Sequence, residues 1–165
     1  MAQRWSGAIH TYHPLVDGIF YASQDASRDV LDGGEHARFS MPYSWRVLEN
    51  LSGGALFTML HLHGEHIYFD RKSTLPVAAI NWHDRLTAPS LGDALKRFSG
   101  AVAGGLNEKE TLLNGPASAV TTQVADAIRQ TGGTGVIITP GCVPPLATPD
   151  EFLDAAVRAV KGAAE

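Results

Sequence analysis

Short apolar runs alternate with amphipathic segments along this chain, and that alternation restricts the fold more than any other feature of the sequence. Apolar, strand-length runs bounded by Gly, Pro and polar residues predict strands over Gly18–Ser23, Leu56–Leu62, Val77–Asn81, Ala101–Ala103 and Gly135–Thr139. Helical spacing predicts helices over Pro42–Leu51, Leu91–Phe98, Ala117–Gln130 and Pro149–Lys161. The last carries the fullest start signal: Thr148 as N-cap, Pro149 at the first helical position and Glu151 to close a capping box. Its apolar stripe is Phe152, Ala155, Ala156, Ala159 and Val160, while Val120, Val124 and Ile128 recur every four residues in the helix before it. Ser40 and Ser90 precede two other helices as weaker caps. Strands separated by helices pair in parallel through right-handed crossovers. Such units give either an open doubly wound sheet or part of a barrel, because a closed eight-stranded barrel typically takes ~250 residues. Ser23-Gln24-Asp25-Ala26-Ser27 follows the first strand, where a glycine-rich phosphate loop would otherwise stand.

The 165 residues suffice for one core, so residues 1–165 are expected to form a single domain or a piece of one. Hydrophobic residues make up 44% and charged residues 18%, which suits a soluble globular protein and argues against disorder. The net charge of −4 and scattered Lys and Arg leave no basic footprint for nucleic acid or an anionic membrane. No apolar stretch approaches the ~20 residues of a spanning helix. Met1-Ala2-Gln3-Arg4-Trp5-Ser6-Gly7 lacks the apolar core of a secretory signal, and a lone cysteine excludes an internal disulfide. Both point to the cytoplasm as the expected compartment.

Chemistry concentrates where predicted strands end. Ala55-Leu56-Phe57-Thr58-Met59-Leu60 runs into His61-Leu62-His63-Gly64. Side chains two apart on a strand share a face, so both imidazoles project together. Cys142 follows the apolar Val136-Ile137-Ile138-Thr139. Two imidazoles and a thiolate suit zinc, and three protein ligands leave one position open for chemistry. The alternative is that the imidazoles make hydrogen bonds and Cys142 is a small buried hydrophobe.

Several blocks, in order, resemble the C-terminal half of the uroporphyrinogen decarboxylase superfamily. Asp17-Gly18-Ile19-Phe20-Tyr21-Ala22-Ser23 resembles its "DGIFxAxQ" strand, and Phe39-Ser40-Met41-Pro42-Tyr43 its "F…PY" helix start. Leu60-His61-Leu62-His63-Gly64 is similar to its "LHxCG" or "LHxHG" strand end, and Ala79-Ile80-Asn81-Trp82-His83-Asp84 to its "xINWHD" strand. Gly104-Gly105-Leu106-Asn107 resembles the "GNLDP" turn, and Gly141-Cys142 with Thr148-Pro149 the terminal "GxGxxxxTP" region. The resemblance implies an α/β fold: a parallel sheet with flanking helices, the C-terminal portion (about five β/α units) of a TIM (β/α)8 barrel. It also implies tetrapyrrole metabolism, with side-chain carboxyls of uroporphyrinogen removed without a cofactor. The arginine-rich segment that grips substrate carboxylates in that family, and its pyrrole-binding aspartate, have no counterpart here.

A second branch of the superfamily, the corrinoid and thiol methyltransferases, carries an "HxC…C" zinc site at the same strand ends. The resemblance places His61, His63 and Cys142 on that ligand set, with a histidine replacing the first cysteine. The implied cofactor is then Zn2+ with a corrinoid substrate. Glu65 and His66 are either groups orienting those ligands or solvent-facing loop residues. Asp84 is the candidate catalytic group, able to bond a substrate nitrogen or orient a ligand histidine, or else a helix N-cap. Gln24, Asn81 and Trp82 are candidate substrate contacts, with Trp82 either a wall for a flat macrocycle or a core aromatic.

Asn107 is expected to shape a loop. His10, His13 and His36 read as exposed, Tyr12, Tyr43 and Trp45 as packing residues, and Arg71 and Lys72 as a solvated helix end. Expected partners are a tetrapyrrole or corrinoid small molecule and, because two raw sheet edges are a liability, a second copy or a complementing N-terminal half-barrel. A non-catalytic half-barrel that binds a macrocycle or a partner chain is the reading from another class.

Overall fold

A computed structural model describes residues 17–51 and 57–163. His10, Tyr12, His13 and the Ala55-Leu56 start of the second predicted strand lie outside the described residues. Five strands form one parallel sheet in the order β1-β2-β3-β4-β5, with helices between them. The strands are β1 (Gly18–Ser23), β2 (Phe57–Leu62), β3 (Ala79–Trp82), β4 (Ala101–Leu106) and β5 (Val136–Pro140). The helices are α1 (Gly33–Glu35), α2 (Met41–Glu49), α3 (Phe69–Lys72), α4 (Leu91–Leu95), α5 (Thr111–Asn114), α6 (Ala117–Thr131) and α7 (Asp150–Gly162). Among the described residues no helix is long and apolar enough to cross a membrane. By its contacts the chain divides into two compact units, Met1–Ile80 and Asn81–Glu165.

In the first unit β1 and β2 pair in register, Gly18 opposite Phe57 and Ser23 opposite Leu62. The helical block between them starts on a capping box: Asp32 accepts from Gly34 and Glu35 backbone N–H groups, and Glu35 returns a bond to the Asp32 N–H. A π-helical turn, His36–Ser40, then feeds α2. Ser40 does not cap that helix. Its hydroxyl is taken by Lys72, and this corrects two expectations at once.

Lys72 is not solvated but fully buried. Its ammonium donates to Ser40 Oγ at 2.7 Å and Ser44 Oγ at 3.0 Å, and lies 3.7 Å from Asp25 Oδ1. Tyr21 Oη reaches Ser44 at 3.3 Å and Ser23 Oγ donates to Asp25 at 2.5 Å. Burial lowers the Lys72 pKa, with Asp25 opposing. Burial raises Asp25, but Ser23 and the Lys72 charge outweigh it and leave its carboxyl below the usual value. A buried ammonium survives only when it is paired and hydrogen-bonded in this way. Arg71, by contrast, is exposed as expected and donates to the Gly33 carbonyl at 2.6 Å.

His36 is a further correction, since it is fully buried against Tyr68 with ring centroids 4.2 Å apart. Neither ring nitrogen has a hydrogen-bond partner. Tyr43 and Trp45 depart the other way and are exposed.

In the second unit Leu106, Leu112, Val120, Val124, Phe152 and Ala156 form a core cluster, with Ile128 and Ala159 packed against it. Val120, Val124 and Ile128 on α6 thus meet Phe152, Ala156 and Ala159 on α7, each large buried aliphatic side chain contributing about 1.5–3 kcal/mol, whereas Val160 of the expected stripe is exposed. Gly132 ends α6 in the left-handed region at φ 66°, with its N–H on the Ile128 carbonyl. The expected capping box on α7 does not form. Pro149 occupies the cap position with no side-chain bond, and Thr148 Oγ1 is buried without a partner. Ser90 does cap α4, accepting from Asp93 N–H.

Desolvation, with the Lys72 charge adding to it, depresses the His36 pKa from 6.5 to about 4. The unfolded chain therefore binds more protons than the folded one between these values. Stability due to this group is fully present above pH 6.5 and is lost as pH falls toward 4, by about 3 kcal/mol at most. His36→Phe keeps the ring against Tyr68 and removes the titration. Urea unfolding at pH 7 and pH 4.5 is expected to show a smaller acid-side loss for the variant than for the parent chain.

Candidate metal centre

β2 carries the first donors. His61 lies within the strand and is buried, with Phe20 stacked over it at 5.7 Å. His63 follows the last strand residue, and its N–H still bonds the Ser23 carbonyl at 3.1 Å, so the strand geometry extends to it. The two imidazoles lie on one face with centroids 5.9 Å apart. Gly64, at φ 97°, then turns the chain away. His66 is exposed and pairs with Asp29 at 3.1 Å, and Glu65 is exposed, so both are loop residues facing solvent.

β3 ends in Asn81-Trp82-His83-Asp84. Asn81 is buried and its amide nitrogen donates to Ala103 O (3.0 Å), Pro140 O (3.1 Å) and Thr139 Oγ1 (3.2 Å). It therefore ties β3 to β4 and β5. Trp82 is fully buried with its indole N–H on Pro89 O at 3.0 Å. Gln24 is exposed in the turn after β1.

Asp84 packs against β4. Its Oδ1 accepts the Gly105 N–H at 2.9 Å, and a Cβ on Gly104 would come within 2.5 Å of the same oxygen. Burial pushes its pKa up to about 6, with Gly105 and Arg85 opposing. Arg85, 3.6 Å from Asp84, also bonds the Gly105 carbonyl and pairs with Asp126 at 2.5 Å.

His83 points elsewhere. It is buried, and its Nδ1 lies 2.7 Å from Oε1 of the buried Glu108. Burial raises Glu108, but the His83 hydrogen bond and backbone donation outweigh it, so the carboxyl titrates below its ordinary value. An ionised carboxylate only accepts, so Nδ1 carries the proton of this hydrogen bond. Asn107 shapes the loop that presents Glu108, its Oδ1 accepting the N–H groups of Lys109 and Glu110 at 3.0 Å each. Gly141 passes so close that a Cβ there would lie 2.8 Å from His83 Cα, and Cys142 follows it.

His61, His63, His83 and Cys142 form a group compatible with zinc: each offers one ligand atom, and these atoms lie within 4.8 Å of one another. The group contains the three donors named from sequence and adds His83.

Two residues escaped the sequence reading, His83 and Glu108. His83 falls two after Asn81, on the same face, which was a usable signal. Glu108 was hidden because Gly104-Gly105 read as a turn, whereas β4 continues through them to Leu106.

The family model described as Uroporphyrinogen decarboxylase (URO-D) matches residues 17–163. No curated protein matches the chain. Among solved structures, a methyltransferase from Methanosarcina mazei is similar with a TM-score of 0.83 and 18% identity. The match covers 99% of this chain and 47% of that one, so this chain spans about half the length of that structure.

Because Asp84 has a raised folded-state pKa, the folded chain binds more protons than the unfolded one between pH 4 and 6. Its contribution to stability is present below pH 4 and falls as pH rises to 6, by about 3 kcal/mol at most. Asp84→Asn retains an acceptor for Gly105 N–H. The difference in thermal midpoint, variant minus parent, is expected to grow across that window and then level off.

Proposed function

Since the chain belongs to the uroporphyrinogen decarboxylase (URO-D) family, we propose that it is a zinc protein of methyl transfer, moving a methyl group between a corrinoid or methylated donor and a thiol. The metal is held by His61, His63 and Cys142. The observation that carries this reading is the His/His/His/Cys donor set, whose chemistry suits zinc. The methyltransferase similarity adds support at the level of fold. Uroporphyrinogen decarboxylation, which the family name suggests, draws no support from this donor set.

Zinc, when bound, would keep a substrate thiol in its nucleophilic thiolate form. The rest falls to the chain's own residues. His61 and His63 supply neutral donors where the related "HxC…C" pattern has one thiolate more, which leaves the metal a stronger Lewis acid. Phe20 against His61 gives the site an apolar wall suited to a large flat substrate. Gln24, exposed after β1, is the residue placed to contact that substrate, while Asn81, Trp82 and Asp84 hold the scaffold beneath it. Residues 1–165 act as one partial barrel domain, completed by a second copy or a complementing half-barrel, in the cytoplasm where Cys142 stays reduced.

Metal analysis tests the reading. Purified protein is expected to carry about one zinc per chain, and Cys142→Ala to lose most of it while thermal unfolding stays cooperative. With methylcobalamin and a small thiol, the parent chain should form the thioether and the variant should not. A metal-free preparation that decarboxylates uroporphyrinogen would overturn the proposal.

A further inference from the structure

We propose that α7 and the groove beside it form the face on which a second copy of this chain docks, the two α7 helices packing antiparallel about Val157. The proposal rests on the partial-barrel reading above and narrows its two candidate partners to one. All that carries it lies within the second unit. Phe152, Ala156 and Ala159 already seat α7 on its own core. Leu153, Val157 and Val160 form a second row about 100° further round the helix, and they are 38%, 52% and 38% exposed. The two rows, with the buried Ala155, cover roughly 200° of α7, about twice the stripe by which a surface helix seats on one core. The second row opens onto a groove of about 580 Å3, lined by Leu106, Ile128, Val136, Ile138, Val157 and Val160. Its floor includes β5, the edge strand of the sheet. A contiguous apolar face beside a strand edge is a site of association.

Charge identifies the occupant. α7 begins with Asp150, Glu151 and Asp154 and ends with Arg158 and Lys161, all of them exposed. Asp154 and Lys161 follow Leu153 and Val160 directly, so they flank the exposed row on one side. Turned antiparallel about Val157, this row is its own complement. Leu153 then meets the partner's Val160, Val157 meets the partner's Val157, and Asp154 meets the partner's Lys161 at both ends of the contact. A parallel pairing would instead set Asp154 against the partner's Asp154 and Lys161 against the partner's Lys161. Charges flanking an apolar helix seam select orientation in this way. A two-fold contact uses the same patch on both chains, which is what such self-complementarity serves. An unrelated partner would require no such symmetry within α7.

Sedimentation equilibrium tests it, with each variant checked by thermal unfolding. The parent chain is expected to show a monomer–dimer equilibrium. Val157→Asp should weaken it at least ~100-fold, because two carboxylates would meet in the apolar contact. Asp154→Lys or Lys161→Asp alone should weaken it about 2–30-fold, since each removes two surface ion pairs. The double exchange D154K/K161D should restore the parent value, an outcome that a general loss of stability would not produce. On mild oxidation Val157→Cys should give a disulfide-linked dimer beyond any formed by the parent, whereas Glu151→Cys, on the far side of α7, should not. A parent that stays monomeric overturns the proposal and leaves the complementing half-barrel as the partner of the partial barrel. A dimer that Val157→Asp leaves intact overturns it as well. Zinc content of the same samples reports separately on the metal reading: a zinc-bearing monomer refutes the dimer alone, and a zinc-free dimer that Val157→Asp dissociates refutes the metal alone.

Discussion

In a parallel sheet every strand ends at the same edge, and the loops that leave those ends are the ones that can meet. This chain spends its polar chemistry there. β1 and β2 finish together at Ser23 and Leu62, and β4 and β5 finish together at Leu106 and Pro140. His63, Glu108 and Cys142 each follow within two residues of a strand's end, and His83 directly follows Trp82. The period-two alternation then sorts neighbours by face, so that His83 and Asp84, adjacent in sequence, do opposite things. One presents an imidazole backed by Glu108; the other turns its carboxyl onto the Gly104-Gly105 backbone.

The price of this arrangement is a set of buried polar groups, and the structure handles them in two ways. Lys72 and Asn81 are saturated with partners, which makes each a tie between elements that apolar contact alone would leave free to slide. His36 and Asp84 instead change their protonation preference, the imidazole staying neutral and the carboxyl holding its proton to about pH 6. The two act in opposite directions across mildly acidic pH. Stability between pH 4 and 6.5 is therefore a balance, with His36 favouring the folded chain as pH rises and Asp84 opposing it.

What could be read from the sequence follows the range of the forces involved. Strand and helix periodicity is local, and all five strands lie where apolar runs predict them, with α6 and α7 displaced by one residue at most. The failures are tertiary. Nothing near Lys72 announces that Ser40 and Ser44, some thirty residues earlier, converge on its ammonium. Thr148 satisfies the local grammar of a cap, yet Pro149 takes the position. Gly104-Gly105 illustrates the same limit from the other side: glycine pairs signal turns, but here they stay in the strand because Asp84 and Ala127 crowd the space where Cβ atoms would be. Among the candidate donors the His61-Leu62-His63 spacing is legible in the sequence, while the Glu108 to His83 bond joins residues 25 apart and leaves no local trace.

Charge balance ties these features to the proposed chemistry. A zinc ion with three neutral imidazoles and one thiolate keeps one uncompensated positive charge, and burying a net charge is expensive. Glu108 sets a carboxylate one hydrogen bond behind His83, inside a buried pair. A carboxylate behind a histidine fixes the ring's orientation and raises its basicity. A second cysteine in place of His63 would balance the same charge at the metal itself and weaken it as a Lewis acid. Under the proposed zinc reading, the His-for-Cys exchange would leave the metal a stronger Lewis acid, and the buried His83–Glu108 pair would hold a negative charge behind a neutral imidazole.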